Sequence, residues 1–160
     1  VAVFVGGLSA APYVPTKKKQ VEFLLKNITI KPKQQIYELG CGTGSVLLPM
    51  AKKFSSTKFI GFEIAPLPFL ICWIKSWKYP NVKVKMKNIF TLDYGQADMV
   101  FIFLLDESYP KLIKQIKKNV KPDCVIITEA WPLLNLEPMK KIKEPNLLSV
   151  YFYSAKDLRD

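Results

Sequence analysis

The sequence predicts an open α/β fold, a mainly parallel sheet with helices on both faces. Three observations carry this. Short strand-like runs alternate with segments of helical apolar spacing, as strands joined by crossover helices do. The run Met99 to Leu105 is apolar throughout, as a central parallel strand buried on both faces requires. A glycine-rich turn follows the first strand, at the end of the sheet where such folds bind ligands.

The elements follow in order. Pro12 and Pro15 interrupt an apolar start, and Thr16 stands where a helix N-cap belongs, ahead of Val21, Leu24, Leu25 and Ile28 at helical spacing. Lys17, Lys18 and Lys19 open that helix against its dipole, which suits solvent or an anionic surface. Gln35 to Leu39 is a short strand ending in the glycine turn. Leu47, Met50, Ala51 and Phe54 mark the inner face of the next helix, and Lys58 to Glu63 is a second strand. Pro66 and Pro68 fit the opening turn of a third helix. Its body, Phe69 to Trp77, is apolar nearly all round; such a helix is either deeply buried or touches a membrane or partner, and burial is the expectation. Val82, Val84 and Met86 alternate with Lys83, Lys85 and Lys87, a strand with one lysine-coated face that suits a sheet edge. Beyond Leu105, the residues Leu112, Ile113, Ile116 and Val120 stripe a helix. Lys121-Pro122-Asp123 then turns the chain into a strand from Cys124 to Thr128, and Leu147 to Tyr153 is the last strand.

With 160 residues, 49% of them hydrophobic, the chain has material for one domain with a real core. The expected division is an apolar N-terminal arm, residues 1–15, and one domain, residues 16–160. Val1 to Ala11 is too short to span a bilayer, which takes about 20 residues. It reads equally as an arm packed on the domain or as the end of a longer membrane helix. The net charge of +11 suits a solvated basic surface first and an anionic membrane second. Nucleic acid is the least favoured partner, because the lysines are spread along the chain rather than gathered into an arginine-rich stripe. Cys41, Cys72 and Cys124 show no Cys-x-x-Cys spacing and read as reduced thiols, which places the chain inside the cell, in the cytoplasm or at the inner face of a membrane. The absence of histidine removes Ser-His-Asp and Cys-His catalysis and every His-based metal site, and no metal is expected.

The turn after the first strand reads Glu38-Leu39-Gly40-Cys41-Gly42-Thr43-Gly44. Gly40 allows a sharp exit from the strand, Gly42 a close backbone approach to a ligand, and Gly44 a helix start near the sheet. Amides at a helix N-terminus favour an anionic ligand group. The glycines fall as G-x-G-x-G. The dinucleotide pattern G-x-G-x-x-G has Ser45 at its third glycine, and no Gly-Lys-Ser/Thr closes a P-loop. Glu63 ends the second strand, where a carboxylate accepts hydrogen bonds from both ribose hydroxyls of an adenosine. Taken alone, Glu63 is equally an exposed acid at a strand end. The pairing of turn and acid, in that order, points to a nucleoside ligand.

E-x-G-x-G-x-G followed by an acid at the end of the second strand resembles the cofactor signature of Rossmann-like class I methyltransferases. The Lys-Pro-Asp turn before Cys124 matches the turn before that fold's fifth strand. The block Pro12-Tyr13-Val14-Pro15 is similar to one in the ATP synthase c-subunit and adenine nucleotide translocase lysine methyltransferases and their prokaryotic relatives. In that family the block follows a membrane-embedded segment and helps to close the site. The resemblance implies S-adenosylmethionine as cofactor, held by Glu38, Gly40, Cys41, Gly42, Gly44, Glu63 and Asn88. It also implies a lysine acceptor, on a membrane-associated protein. Thr43 and Asn88 stand where that family favours Asp.

Methyl transfer from a sulfonium needs no metal and no oxyanion hole. It needs an attacking atom held in line and unprotonated. Asp106 and Glu107, where the Met99–Leu105 run stops, are candidates to orient an amine or accept its proton; as acids ahead of a helix they equally suit capping. Tyr13 is a candidate wall of the same site, or a packing residue. Glu129-Ala130-Trp131-Pro132, after the fifth strand, is a rim or a turn with a buried indole. A methyltransferase for RNA or a small molecule, and a basic adaptor that keeps the fold without chemistry, are the alternatives.

Overall fold

β1 (Gln35–Leu39) is the axis of the molecule, paired in parallel with β2 (Lys58–Phe62) on one side and β4 (Met99–Ile102) on the other. The computed structural model describes residues 16–159, so the apolar arm and Tyr13 lie outside the described residues. β3 (Val82–Lys85) extends the sheet in parallel beyond β2, and β5 (Val125–Glu129) beyond β4. β7 (Val150–Ser154) runs antiparallel to β5, and β6 (Lys140–Ile142) antiparallel to β7. The order of this seven-stranded sheet is β3-β2-β1-β4-β5-β7-β6. It reverses at β1, so the cleft beyond β1 and β4 is the place the fold leaves for a ligand.

α1 (Lys18–Asn27) and α2 (Leu47–Lys53) pack on one face, where Leu24, Leu47, Met50 and Phe59 are at most 1% exposed. α4 (Tyr109–Ile116) covers the other with Leu112 and Ile116, beside Tyr94 and Tyr153. β4 is buried at every position, which accounts for its apolar run. Asp98 ties the lower sheet together: Oδ2 accepts from the Gln35 amide at 2.7 Å and Oδ1 pairs with Lys121, so the starts of β1 and β4 and the turn into β5 share one carboxylate.

Several expectations shift. Thr16 is not a cap: α1 begins at Lys18 with Lys17 as N-cap, and the Thr16 amide donates to Ser45 Oγ at 3.3 Å. β5 and the last strand lie slightly later than expected. β6 was not foreseen, because three residues reading Lys-Lys-Ile carry no period. The largest correction concerns α3 (Pro66–Ser76). It does open with proline, but it is not deeply buried. Only Cys72 and Ser76 are buried, while Leu67 and Trp77 are about two-thirds exposed.

Gly61 in β2 has an ordinary role for a residue without a side chain. A Cβ there would stand 2.6 Å from Leu47 Cδ2 and 2.7 Å from Cys41 Sγ, so only hydrogen lets the turn and α2 lie against β2. Overpacking of this kind costs about 1–3 kcal/mol. Gly61→Ala is expected to lower the melting temperature by roughly 3–10 °C in a thermal scan.

Candidate functional site

A cleft of about 1120 Å³ opens beyond the C-terminal ends of β1, β2, β4 and β5. Each wall comes from the loop that leaves one strand. The first is the glycine turn, where Gly40, Gly42 and Gly44 all have positive φ, at 68°, 54° and 84°. At Gly40 and Gly44 a side chain would also collide, with Leu104 at 2.8 Å and with Leu48 and Cys72 at 2.9 Å. The turn closes on itself through the Gly44 amide, which donates to the Cys41 carbonyl at 2.9 Å. α2 begins only at Leu47, so the turn precedes the helix and does not form its first residues.

The second wall is the end of β2. Glu63 Oε2 accepts from the Gly42 amide at 2.9 Å, and Oε1 accepts from the Ala65 amide at 2.8 Å. The negative group that the turn attracts is therefore the protein's own. A carboxylate has about four acceptor sites, so each oxygen keeps one for a ligand hydroxyl. Asn88, after β3, lines the same end of the cleft; its Oδ1 accepts from the Phe90 amide at 2.9 Å and caps a short turn at Ile89–Thr91. Cys41 Sγ lies 4.0 Å from Cys72 Sγ beneath the turn, and this contact pushes the Cys41 thiol well up.

The third wall is acidic: Glu38 was expected at the site, whereas the sequence placed Glu129 only in a segment read as a rim or a turn. Among the described residues, two buried side-chain oxygens have no hydrogen-bond partner, Oε2 of Glu38 and Oε2 of Glu129, and both residues line the cleft. Burial pushes Glu38 well above the usual carboxylate range, and the nearby Cys72 and Glu129 add to it. Burial likewise raises Glu129 to about 7, partly offset by Gln20. Gln20 is itself clamped, accepting from the Leu148 amide at 2.9 Å and donating to the Leu148 carbonyl at 3.0 Å, so α1 is held to the loop before β7. Ala130 follows Glu129 with φ of 69°, a conformation that non-glycine residues rarely adopt and that clusters at functional sites. The signal for Glu129 was available: like Glu63, it is an acid that ends a parallel strand.

Of the expected site residues, Glu38, Gly40, Cys41, Gly42, Glu63 and Asn88 line one cleft, and Gly44 shapes the turn behind them. Asp106 and Glu107 do not line it. They are exposed on a short turn at Asp106–Ser108, one step beyond Leu105 at the rim. Trp131 is 46% exposed and not a buried indole.

A model of the ANTKMT methyltransferase domain matches residues 38–140, which take in the turn, Glu63, Asn88 and Glu129. The chain belongs to that family. It is an S-adenosylmethionine-dependent methyltransferase with the Rossmann-like class I fold, so the adaptor reading is set aside. A protein-lysine N-methyltransferase of Saccharolobus islandicus is 28% identical over 148 residues, 89% of this chain and 92% of that protein. An (S)-coclaurine N-methyltransferase of Papaver somniferum is 30% identical over 115 residues, 68% of this chain but 33% of that protein. The fold is shared with an RNA methyltransferase of Salinibacter ruber solved with S-adenosyl-L-homocysteine, at TM-score 0.81 and 20% identity, covering 89% of this chain and 94% of that one.

Two predictions arise from these carboxylates. Glu63→Ala removes the turn's clamp together with the acceptor expected for a ligand hydroxyl. Hydrogen bonds to charged groups contribute about 1.5–3 kcal/mol, so calorimetric titration should show S-adenosylmethionine binding weakened about 10- to 100-fold. Glu129 has a raised pKa, so its burial is without penalty below about 4.5, where both states hold the proton. Between there and about 7 the unfolded state ionises first, and stability falls as pH rises. Glu129→Gln should therefore melt higher than the parent chain at pH 8, and the gain should shrink toward pH 4.

Proposed function

We propose that this methyltransferase acts on an amine, and that the amine is a lysine side chain of a protein. The observation that carries the proposal is Glu129: a carboxylate 8% exposed, with one oxygen lacking a partner, set in the cleft that also holds the glycine turn. A buried acid without a partner is costly, and an approaching cation relieves that cost. Oxygen or carbon acceptors bring no such charge. Both sequence relatives bear the names of N-methyltransferases, one for protein lysine and one for coclaurine, which fits an amine acceptor here.

Residues for each part are at hand. We assign Glu63 to the ribose hydroxyls, Asn88 to the adenine end, and Gly40, Cys41, Gly42 and Gly44 to the close backbone approach, with Glu38 facing the cofactor's ammonium group. When bound, S-adenosylmethionine supplies a methyl group on a sulfonium sulfur that leaves uncharged. The chain's own task is the amine. A lysine ammonium has a pKa of about 10.4, so baring its lone pair near neutral pH costs roughly 4–5 kcal/mol. Glu129, titrating at about 7, is ionised in time to receive the ammonium and to take or pass on its proton. Phe103, Leu104 and Leu148 line the cleft and lower the amine's affinity for that proton by keeping it from water. Lys17, Lys18, Lys19 and Lys87 stand at the mouth and discourage a bare ammonium group from lingering there. Asp106 and Glu107, exposed beside the rim, suit drawing in a cationic peptide more than moving a proton. Tyr13 keeps its proposed place as a wall of the site. That the acceptor protein lies at a membrane draws support from the +11 charge and the apolar residues 1–11.

RNA is the second reading, suggested by the basic mouth; the acid interior of the cleft repels phosphate. Labelled methyl groups supplied to a lysate are expected in protein, and as methyllysine after hydrolysis. Label confined to RNA or metabolites would overturn the lysine assignment. Glu129→Gln is expected to cut kcat by about 10²-fold or more, with S-adenosylmethionine affinity unchanged, and to abolish the rise of activity through pH 7. A variant that retained that rise would remove Glu129 from the proton path.

A further inference from the structure

The outward face of α3 is an apolar stripe with nothing over it among the described residues. Leu67, Leu70, Ile74 and Trp77 recur at three- and four-residue steps and are 65%, 46%, 48% and 66% exposed, with Trp73 beside them at 42%. Trp73 and Trp77 meet edge to face, with centroids 5.0 Å apart, and share a shallow groove with Pro80, Lys83 and Lys85. The inward face needs none of this, since Cys72 and Ser76 make the buried contact.

The charge around the stripe narrows what can cover it. Residues 64–92 contain five lysines, Lys75, Lys78, Lys83, Lys85 and Lys87, and no Asp or Glu. All five lysines are exposed. A second copy of the chain would bring the same lysines against them, and the lysines on the open edge of β3 discourage strand pairing. An anionic bilayer has the complementary charge. Tryptophan favours the level of the lipid headgroups, and lysine stems lie along apolar surface while the ammonium reaches the phosphates.

We infer that α3 and the edge of β3 form the surface by which this methyltransferase docks on an anionic phospholipid bilayer. The first turn of α3 bears on function, because Pro66, Leu67 and Pro68 line the mouth of the cleft. A bilayer seated on the stripe therefore has the mouth beside it, within reach of lysines that emerge from a membrane surface. Docking is independent of the identity of the acceptor, and it is read without methyl transfer.

The test is sedimentation of the full chain with vesicles of phosphatidylcholine containing about one-third phosphatidylglycerol, beside vesicles of phosphatidylcholine alone. Binding to the anionic vesicles is expected, with a blue shift of tryptophan fluorescence and loss of binding at high salt. Trp73→Ser combined with Trp77→Ser should weaken binding about tenfold or more, while S-adenosylmethionine affinity, which reports an intact fold, is unchanged. Lys83→Glu with Lys85→Glu should weaken it by roughly fivefold per charge and remove the preference for anionic lipid. Equal binding by the parent chain and the tryptophan variant would overturn the proposal by moving the contact elsewhere. Failure of the parent chain to bind overturns it outright. A dimer that exists without lipid and dissociates in the tryptophan variant would show that a second copy is the occupant, and would overturn it too.

Discussion

The hydrogen bond from the Gly42 amide to Glu63 is the constraint on which the rest of the site depends. It joins the turn after β1 to the end of β2, 21 residues apart in sequence, with a charge-assisted contact of 2.9 Å. Bonds of this type are roughly twice as strong as neutral ones. It goes with a positive φ of 54° at Gly42, with β1 and β2 in register from Gln35 opposite Lys58 to Leu39 opposite Phe62, and with Gly61 leaving room for Cys41 and Leu47. Pre-tying the carboxylate also fixes the direction of its remaining acceptor sites, so a ligand hydroxyl meets an ordered group and pays little to order it. The turn's positive φ values, which tax folding, are thereby spent on shaping a ligand surface.

Around that link the charges are sorted in an unusual way for so basic a chain. The exterior carries most of the 24 Lys and Arg residues, yet the cleft holds Glu38, Glu63 and Glu129. The burial that raises Glu38 and Glu129 disfavours their ionised forms when nothing is bound, which eases the crowding of three acids in one space. A ligand that brings positive charge changes the balance, since each cation favours the ionised form of the acid beside it. The cleft is thus matched to ligands with positive centres, and a sulfonium cofactor with an ammonium acceptor is such a combination.

Much of this was legible in the chain. β1 has the bounds its sequence implies, because a short strand run closed by a glycine turn is a local signal. The Glu63 position was legible for the same reason: it depends on counting along one strand. Glu129 was read only as part of a rim or turn, because its role as a buried acid depends on Gln20 on α1, far away in sequence. Thr16 looked like a cap, but its amide is drawn to Ser45 by the approach of α1 to the turn, a tertiary contact that overrides local preference. β6 escaped because a three-residue strand is made by its neighbour β7 and not by its own residues.

α3 shows most clearly where pattern reading stops. A helix apolar on all sides is consistent with burial or with a surface that meets something apolar, and periodicity does not separate the two. The sheet decides the matter. β3 is its last strand on that side, and among the described residues nothing covers the outer face of α3. Folding alone would be satisfied by a polar outer face, which would also improve solubility. The apolar stripe, uncovered among the described residues, is what the proposed docking surface rests on. Its position beside the cleft, with a run of 29 residues free of acid, links that surface to the place where the acceptor must arrive.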